Sequence, residues 1–233
     1  MRIGIVGNGR MGRAVRALGE ERGHDIVAII DQDENQQGEA IATGSLDEAD
    51  VAIEFTEPAS AVQNAVACLT RGVPVVIGTT GWYDQLDEVR RSVSDTQGSL
   101  LWAPNFAAGV VLFTALMRRA GELFATSGFA PYQIESHHAQ KLDAPSGTAH
   151  ALAEAFESGG GVSLPITSVR SGNIPGTHEV HLEAPFEHIR LEHQARDRRV
   201  FADGALRAAE WLSGRQGMYT MHDVLGLTDD KGR

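Results

Sequence analysis

Apolar residues recur along the first hundred positions in two alternating rhythms. Short β-branched runs at Arg2–Val6, Asp25–Ile30, Val51–Phe55, Pro74–Ile77 and Leu100–Ala103 predict strands. Between them the apolar positions fall at helical spacing. Met11, Ala14, Val15 and Leu18 follow the first run; Val62, Ala65, Val66 and Leu69 follow the third. Pro58 stands at the favoured first turn of the latter helix, and Tyr83–Ser94 predicts another helix with a polar face. Near-continuous apolar strands alternating with helices predict a parallel sheet covered on both faces, with right-handed crossovers.

Beyond Asn105 this alternation stops. Val110–Phe124 predicts a long helix, Tyr132–Ser136 a strand and Thr148–Phe156 a second helix. Three strand-like runs follow, Thr167–Arg170, Glu179–Glu183 and His188–His193, the last two forming a hairpin about Ala184–Glu187. Ala202–Leu212 predicts a helix broken by Ser213-Gly214. The grouping predicts a smaller α+β second domain. The tail from Gly217 is too short for a domain, and Met221–Leu227 is expected to pack back on the first one.

Composition narrows the function classes. A chain of 233 residues has room for one large domain or two small ones. With 31 acidic against 20 basic residues the formal net charge is −11, which argues against a nucleic-acid partner. No run of about 18 apolar residues predicts a membrane span. The start, MRIGIVGNGRMG, enters a structural pattern with no secretory leader before it, so a cytoplasmic protein is expected. The single cysteine, Cys68, excludes an internal disulfide and a cysteine zinc knuckle, and its helical apolar position reads as core.

Gly7-Asn8-Gly9-Arg10-Met11-Gly12 is G-x-G-x-x-G, placed after a strand and opening a helix. Its three glycines suit, in order, a tight turn, close approach of backbone to a pyrophosphate, and close helix–strand packing. Asp31 ends the second strand, 19 residues after Gly12, near the offset at which an acid meets a ribose hydroxyl. These features predict a Rossmann-like, doubly wound dinucleotide domain. Carboxylate repulsion at Asp31 favours NADH, while Arg10 in the turn leaves NADPH use open. Loops at the carboxyl ends of later strands, Phe55-Thr56, Gly78–Gly81 and Ala103–Phe106, are expected to line the same crevice.

The densest chemical segment is Glu135–Ala149, ESHHAQKLDAPSGTA. His137 and His138 close a strand, so their side chains diverge. Lys141 lies in the following loop, and Ser146 is suited to cap a helix whose first amides, at Gly147 and Thr148, can bind a carboxylate. Physics alone leaves alternatives open. They are a zinc site from His137, His138, His178 and His181, a nucleophile at Ser146, and a solvated loop in which Glu135 and Asp143 merely pair with Lys141.

Three blocks resemble the dihydrodipicolinate (4-hydroxy-tetrahydrodipicolinate) reductase family. They are Gly7–Gly12, Gly78–Gly81 with Asn105-Phe106, and Glu135–Ala149 as E-x-H-H-x-x-K-x-D-A-P-S-G-T-A. The third is highly specific, and Arg170–Gly172, Gly176-x-His178 and Trp211–Gly214 extend the likeness over nearly the whole chain. The resemblance implies NAD(P)H-dependent reduction of 4-hydroxy-tetrahydrodipicolinate to tetrahydrodipicolinate on the diaminopimelate route to lysine. It implies a dinucleotide-binding domain of residues 1–106 plus 214–233, and a substrate-binding domain with a mixed sheet, residues 107–213, that assembles a homotetramer. By the same resemblance His137 and Lys141 are catalytic, and His138, Gly147 and Thr148 bind a cyclic dicarboxylate. Cofactor contacts fall on Gly7, Asn8, Gly9, Arg10, Met11, Gly12, Asp31, Gly78, Thr79, Thr80, Ala103, Pro104, Asn105 and Phe106; no metal is implied. Two alternatives of other kinds are a different imine or amino-acid oxidoreductase and a non-catalytic dinucleotide-binding module. The His-His-x-x-Lys block stands against both.

Overall fold

A computed structural model of the chain describes residues 1–160 and 162–227. In chain order it begins with β1 (Arg2–Val6), α1 (Arg10–Glu21), β2 (Asp25–Ile30), α2 (Glu39–Ala42), β3 (Val51–Glu54) and α3 (Pro58–Thr70). There follow β4 (Val75–Ile77), α4 (Leu86–Thr96), β5 (Ser99–Trp102), α5 (Ala108–Phe124), β6 (Ala130–His137) and α6 (Gly147–Ser158). The chain continues through β7 (Ile166–Arg170), β8 (Thr177–Ala184), β9 (Glu187–Gln194), α7 (Arg199–Leu212), β10 (Gly217–Thr220) and α8 (Met221–Val224). Two compact units result: Met1–Ala107 together with the segment from Arg199 onward, and Ala108–Arg198. Of the expected 214–233 segment, residues 228–233 lie outside the described residues. No helix among the described residues is long and apolar enough to cross a membrane.

The first unit is built on a six-stranded sheet of order β10-β5-β4-β3-β1-β2, parallel throughout, as the alternating pattern predicts. Strand residues Val6, Ala52, Val75, Ile77 and Leu100 pack against Ala61, Ala65, Cys68 and Leu69 of α3 and Val89 and Val93 of α4. The Cys68 thiol, pushed up to about 12 by burial, is a core group rather than a reactive one. Strand β10 is absent from the sequence expectation. Its four half-buried residues, Gly217–Thr220, are too few to show a period, and pairing with β5 creates the strand.

The unit boundary differs from the expected one. Helix α7, assigned by sequence to the second domain, belongs with the first unit. A Cβ on Gly204 of α7 would stand 1.7 Å from the Phe106 carbonyl oxygen, so the helix lies directly on the backbone that leaves β5. Leu206 meets Gly19 of α1, and Arg22 and His24 beyond α1 pair with Asp203 and Glu210 of α7. The amphipathic pattern of α7 is clear in sequence, but it does not say which sheet receives the apolar face.

The second unit carries a four-stranded mixed sheet of order β7-β6-β8-β9, with β6 and β7 parallel and the other pairs antiparallel. Phe113, Met117 and Ala120 of α5 and Leu152, Ala153 and Phe156 of α6 bury Val180 and Leu182 of β8. Side chains alternate across a strand, so His178, Val180 and Leu182 face the helices while Thr177, Glu179 and His181 face away.

Candidate active site

In the first unit, β1 ends at Val6 and α1 begins at Arg10, so Gly7-Asn8-Gly9 is the whole connection. Gly7 adopts φ +99°, and its N–H donates to the Ile30 carbonyl oxygen (2.8 Å). A Cβ there would stand 2.1 Å from the Phe55 carbonyl oxygen, and one on Gly12 would stand 1.9 Å from that of Gly7. Gly9 is different: a Cβ on it would meet no described atom within 4 Å. Gly9 also caps α1 without a side chain, and the first turn of the helix holds no acid. Free N–H groups and the positive end of α1 therefore adjoin open space, an arrangement that fits a pyrophosphate.

That space belongs to a cavity of about 360 Å³ lined by Gly9, Arg10, Met11, Phe55, Thr56, Pro58, Gly78, Thr79 and Thr80. The lining comes from the loops after β1, β3 and β4, at the point where the strand order reverses. Asp31 borders a second, smaller hollow with Val6, Ile30, Asn35, Thr56, Ser60 and Asn64, and Thr56 touches both spaces. Asn8 is exposed at the turn. Ala103, Pro104, Asn105 and Phe106 are not among the cavity-lining residues. Ala103 and Phe106 are buried, and the Asn105 side chain accepts from the Ala107 N–H (2.8 Å). Phe106 meets Phe55, which lines the cavity, edge-on at 6.1 Å.

A buried polar network supports that wall, and the sequence reading missed it. The Thr56 N–H donates to Thr79 Oγ1 (2.7 Å) and to Glu54 Oε1 (3.2 Å). Asn64 Nδ2 donates to Thr56 Oγ1 (3.3 Å), Asn35 Nδ2 donates to Asn64 Oδ1 (2.8 Å), and Trp82 Nε1 donates to the Thr79 carbonyl oxygen (2.8 Å). Glu54 is wholly buried, and that burial pushes its carboxyl above the ordinary range, towards the neutral form. The i, i+2 spacing of Glu54 and Thr56 at a strand end was the available signal.

In the second unit one row of ionisable side chains crosses the sheet on its helix-facing side. Register sets Arg170 of β7 beside His137 of β6, Glu135 opposite His178 of β8, and His178 opposite His193 of β9. Glu135 is wholly buried; one carboxylate oxygen meets His137 Nδ1, and the other accepts from Arg170 Nη2 (2.6 Å). Burial raises this carboxyl, but the Arg170 bond and the nearby His137 outweigh it and hold it below the usual carboxylate range. Burial pulls His137 below its ordinary value against the opposing pull of Glu135. His178, edge-on to His137 at 5.2 Å, is lowered by burial and by its histidine neighbour to about 4.

Lys141 Nζ donates to both carboxylate oxygens of Asp143 (2.7 and 2.9 Å), holding that carboxyl below its ordinary value. Of the alternative in which Glu135 and Asp143 pair with Lys141, only the Asp143 pair forms; Glu135 is taken by Arg170 of the neighbouring strand β7. His138 diverges from His137, as alternation requires, and lies 3.4 Å from Arg198 Nη2. Ser146 caps α6 by accepting from the Ala149 N–H (3.2 Å), which accounts for its hydroxyl and leaves Gly147 exposed and Thr148 half-buried on the first turn. His181 faces the opposite side of the sheet from His137 and His178, so the four histidines do not converge. Sequence reasoning assigned no role to Arg170 or to the Glu135–His137 contact, although i, i+2 spacing on a strand implies a shared face.

Comparison with known proteins covers both units. Residues 1–106 match the family described as Dihydrodipicolinate reductase, N-terminus, and residues 109–225 match Dihydrodipicolinate reductase, C-terminus. A 4-hydroxy-tetrahydrodipicolinate reductase of Christiangramia forsetii is 36% identical over 241 residues, covering 97% of this chain and 98% of the relative. One of Rhodopseudomonas palustris (strain BisB5) is 35% identical over 269 residues, covering 98% of each. Among solved structures, a dipicolinate-bound dihydrodipicolinate reductase from Paenisporosarcina sp. TG-14 shares the fold. Its TM-score is 0.75 at 23% identity, covering 96% of this chain and 98% of that one.

Proposed function

Because the chain belongs to the dihydrodipicolinate reductase family, we propose that it divides that family's reaction between its two units, one holding the dinucleotide and the other the ring dicarboxylate. The chain is an NAD(P)H-dependent oxidoreductase that reduces 4-hydroxy-tetrahydrodipicolinate to tetrahydrodipicolinate for lysine biosynthesis. The dinucleotide, when bound, supplies a hydride to the substrate ring. Gly7–Gly12 would hold its pyrophosphate and Asp31 its adenosine ribose, with Gly78, Thr79 and Thr80 lining the same cavity. A carboxylate at Asp31 disfavours a 2′-phosphate, so NADH is the preferred cofactor.

Hydride addition leaves negative charge on the ring, and a proton must follow. Lys141 donates it and places a cation beside the developing charge. His137 orients the ring. His138 and the first amides of α6, at Gly147 and Thr148, fix the two carboxylates. The whole chain is strongly acidic while the substrate is a dianion, so the pocket needs local positive charge. Lys141, Arg170, Arg198 and the α6 terminus supply it. The observation that carries this reading is the placement of His137, Lys141 and the α6 N-terminus on one strand–loop–helix segment; the Paenisporosarcina structure that shares the fold is described as dipicolinate-bound. Assembly as a homotetramer, as in the family resemblance, is part of the proposal. A buried, unpaired Cys68 suits a cytoplasmic setting.

The test supplies the condensation product of pyruvate and aspartate semialdehyde and follows oxidation of each reduced cofactor. Turnover with higher kcat/KM for NADH is expected. Absence of turnover with either cofactor defeats the substrate assignment.

A further inference from the structure

The Glu135–His137–Arg170 group does more than neutralise buried charge. Glu135 and His137 are two residues apart on β6, so their side chains share the helix-facing side of the sheet. The Glu135 carboxylate is divided between two partners, one oxygen on Arg170 and the other on His137 Nδ1. Arg170 is itself held three ways. Nη2 also donates to the Asp143 carbonyl oxygen (2.6 Å), and Nη1 donates to that of Val169 (2.8 Å). A guanidinium that never loses its charge keeps the carboxylate ionised, and an ionised carboxylate only accepts. The His137 nitrogen that meets it must therefore carry the proton. The other nitrogen, Nε2, is then an acceptor.

His137 is buried, and its second nitrogen faces a residue without a side chain. Gly176 lies beside it at φ +151°, and a Cβ there would stand 3.1 Å from Nε2 and 3.4 Å from Cδ2. A side chain at 176 would cover this edge of the ring. The His178 ring packs edge-on at an interplanar angle of 70° and limits rotation of His137.

We propose that Glu135, clamped by Arg170, is the positioning residue that locks His137 as the Nδ1–H tautomer, and that Gly176 keeps the acceptor face of Nε2 open to substrate. The inference rests on the substrate role given to His137 above, and deepens it. His137 receives a hydrogen bond from the substrate, and the proton that follows the hydride comes from Lys141. The Asp143 backbone that binds Arg170 adjoins the side chain that binds Lys141, so one clamp registers both groups.

The experiment reads the tautomer directly. Long-range proton–nitrogen NMR on histidine-labelled protein, without substrate, is expected to place the His137 proton on Nδ1. In Glu135→Gln the amide oxygen stays on Arg170 and its NH₂ turns to Nδ1, so the proton moves to Nε2. With the tautomer wrong, kcat falls on the order of 10²–10⁴-fold while cofactor affinity is unchanged. The groups facing His137 are Glu135 on its own strand, Arg170 on β7, His178 on β8 with His193 behind it, and Lys141 in the loop. Gly109 and Phe113 of α5, which meet His193, carry no charge. Loss of the Glu135 charge removes the anion that, among the described residues, faces His137, so the acid limb of kcat/KM moves to lower pH. Gly176→Ala, chosen in case Glu135→Gln fails to fold, is expected to keep the Nδ1 tautomer while raising KM and lowering kcat. A His137 proton on Nε2 in the unaltered protein, or an unchanged tautomer in Glu135→Gln, overturns the proposal. Failure of the substrate assignment reads differently: the NMR result stands and turnover is absent for every variant.

Discussion

The two units build their sites from opposite materials. In the first, the cavity is shaped by backbone: glycines whose missing Cβ atoms admit close approach, uncapped amides of α1, and loop ends after three parallel strands. Its buried carboxyl, Glu54, is driven towards neutrality by burial. In the second, the site is an array of charges held by one another: Glu135 on Arg170 and His137, Asp143 on Lys141. A backbone site binds a ligand at little electrostatic cost. A side-chain site supplies protons and charge, and depends on every partner being present. Damage to the first should appear in binding and fold, and damage to the second in turnover and pH response.

The largest expected effect tests that division at its sharpest point. Lys141→Ala should lower kcat on the order of 10²–10⁴-fold, the range for removing a general acid, with the NADH dissociation constant unchanged. Steady-state rates and a fluorescence titration of NADH measure the two quantities. Equal losses in both would mean that Lys141 serves cofactor binding, and the contrast between the units would fail.

Next comes the response to acid. His178 is buried and lowered to about 4, against an ordinary value of about 6.5. The unfolded chain therefore takes up a proton that the folded chain refuses, and stability falls as pH drops from about 6.5 to about 4. The loss is on the order of 3 kcal/mol from this group alone. Glu135 and Asp143 act in a lower window: their depressed carboxyls stabilise the fold above the ordinary carboxylate range, and that contribution is lost only as pH falls below it. Urea unfolding at a series of pH values should show the first slope, and His178→Gln should flatten it. A slope unchanged by that substitution would shift the acid sensitivity to other groups.

These same residues mark what a sequence can disclose. The glycine turn is legible because spacing alone specifies it: a strand, three glycines and a helix leave few other conformations, and the Cβ clearances at Gly7 and Gly12 follow. The Glu135–Ala149 block is legible as a concentration of chemistry, and its cap at Ser146 forms as local rules predict. The pairings inside it are not legible. Arg170 reaches Glu135 from 35 positions away because β6 and β7 lie side by side, and that register is a tertiary fact. Strand β10 and the docking of α7 were hidden for the same reason: their partners, β5 and α1, are distant in sequence.

A third measurement addresses the backbone site. Gly12→Ala places a methyl group against the Gly7 carbonyl, so α1 must shift away from β1. A destabilisation of about 1–3 kcal/mol is expected, with weakened NADH binding. Thermal unfolding and cofactor titration report both. A fully stable variant that binds NADH normally would show that the turn tolerates what its geometry forbids.

The smallest expected effect concerns which dinucleotide is chosen. Asp31 borders the hollow beyond β2, while Arg10 lines the larger cavity from the first turn of α1. In the proposed reading the Asp31 carboxylate would disfavour a 2′-phosphate on the adenosine ribose and the Arg10 guanidinium would accommodate one. Asp31→Asn keeps a hydrogen-bonding side chain and removes the repulsion, so the ratio of kcat/KM for NADPH over NADH should rise about tenfold, equivalent to about 1.4 kcal/mol. Arg10→Gln should lower that ratio by a smaller factor, since a guanidinium on an open cavity wall is well solvated. Neither change touches the charge array of the second unit, so kcat with saturating NADH should be the same in both variants. If kcat moved along with the cofactor ratio, the backbone-built and charge-built sites would not be separable, and selectivity would have to be sought in both units at once.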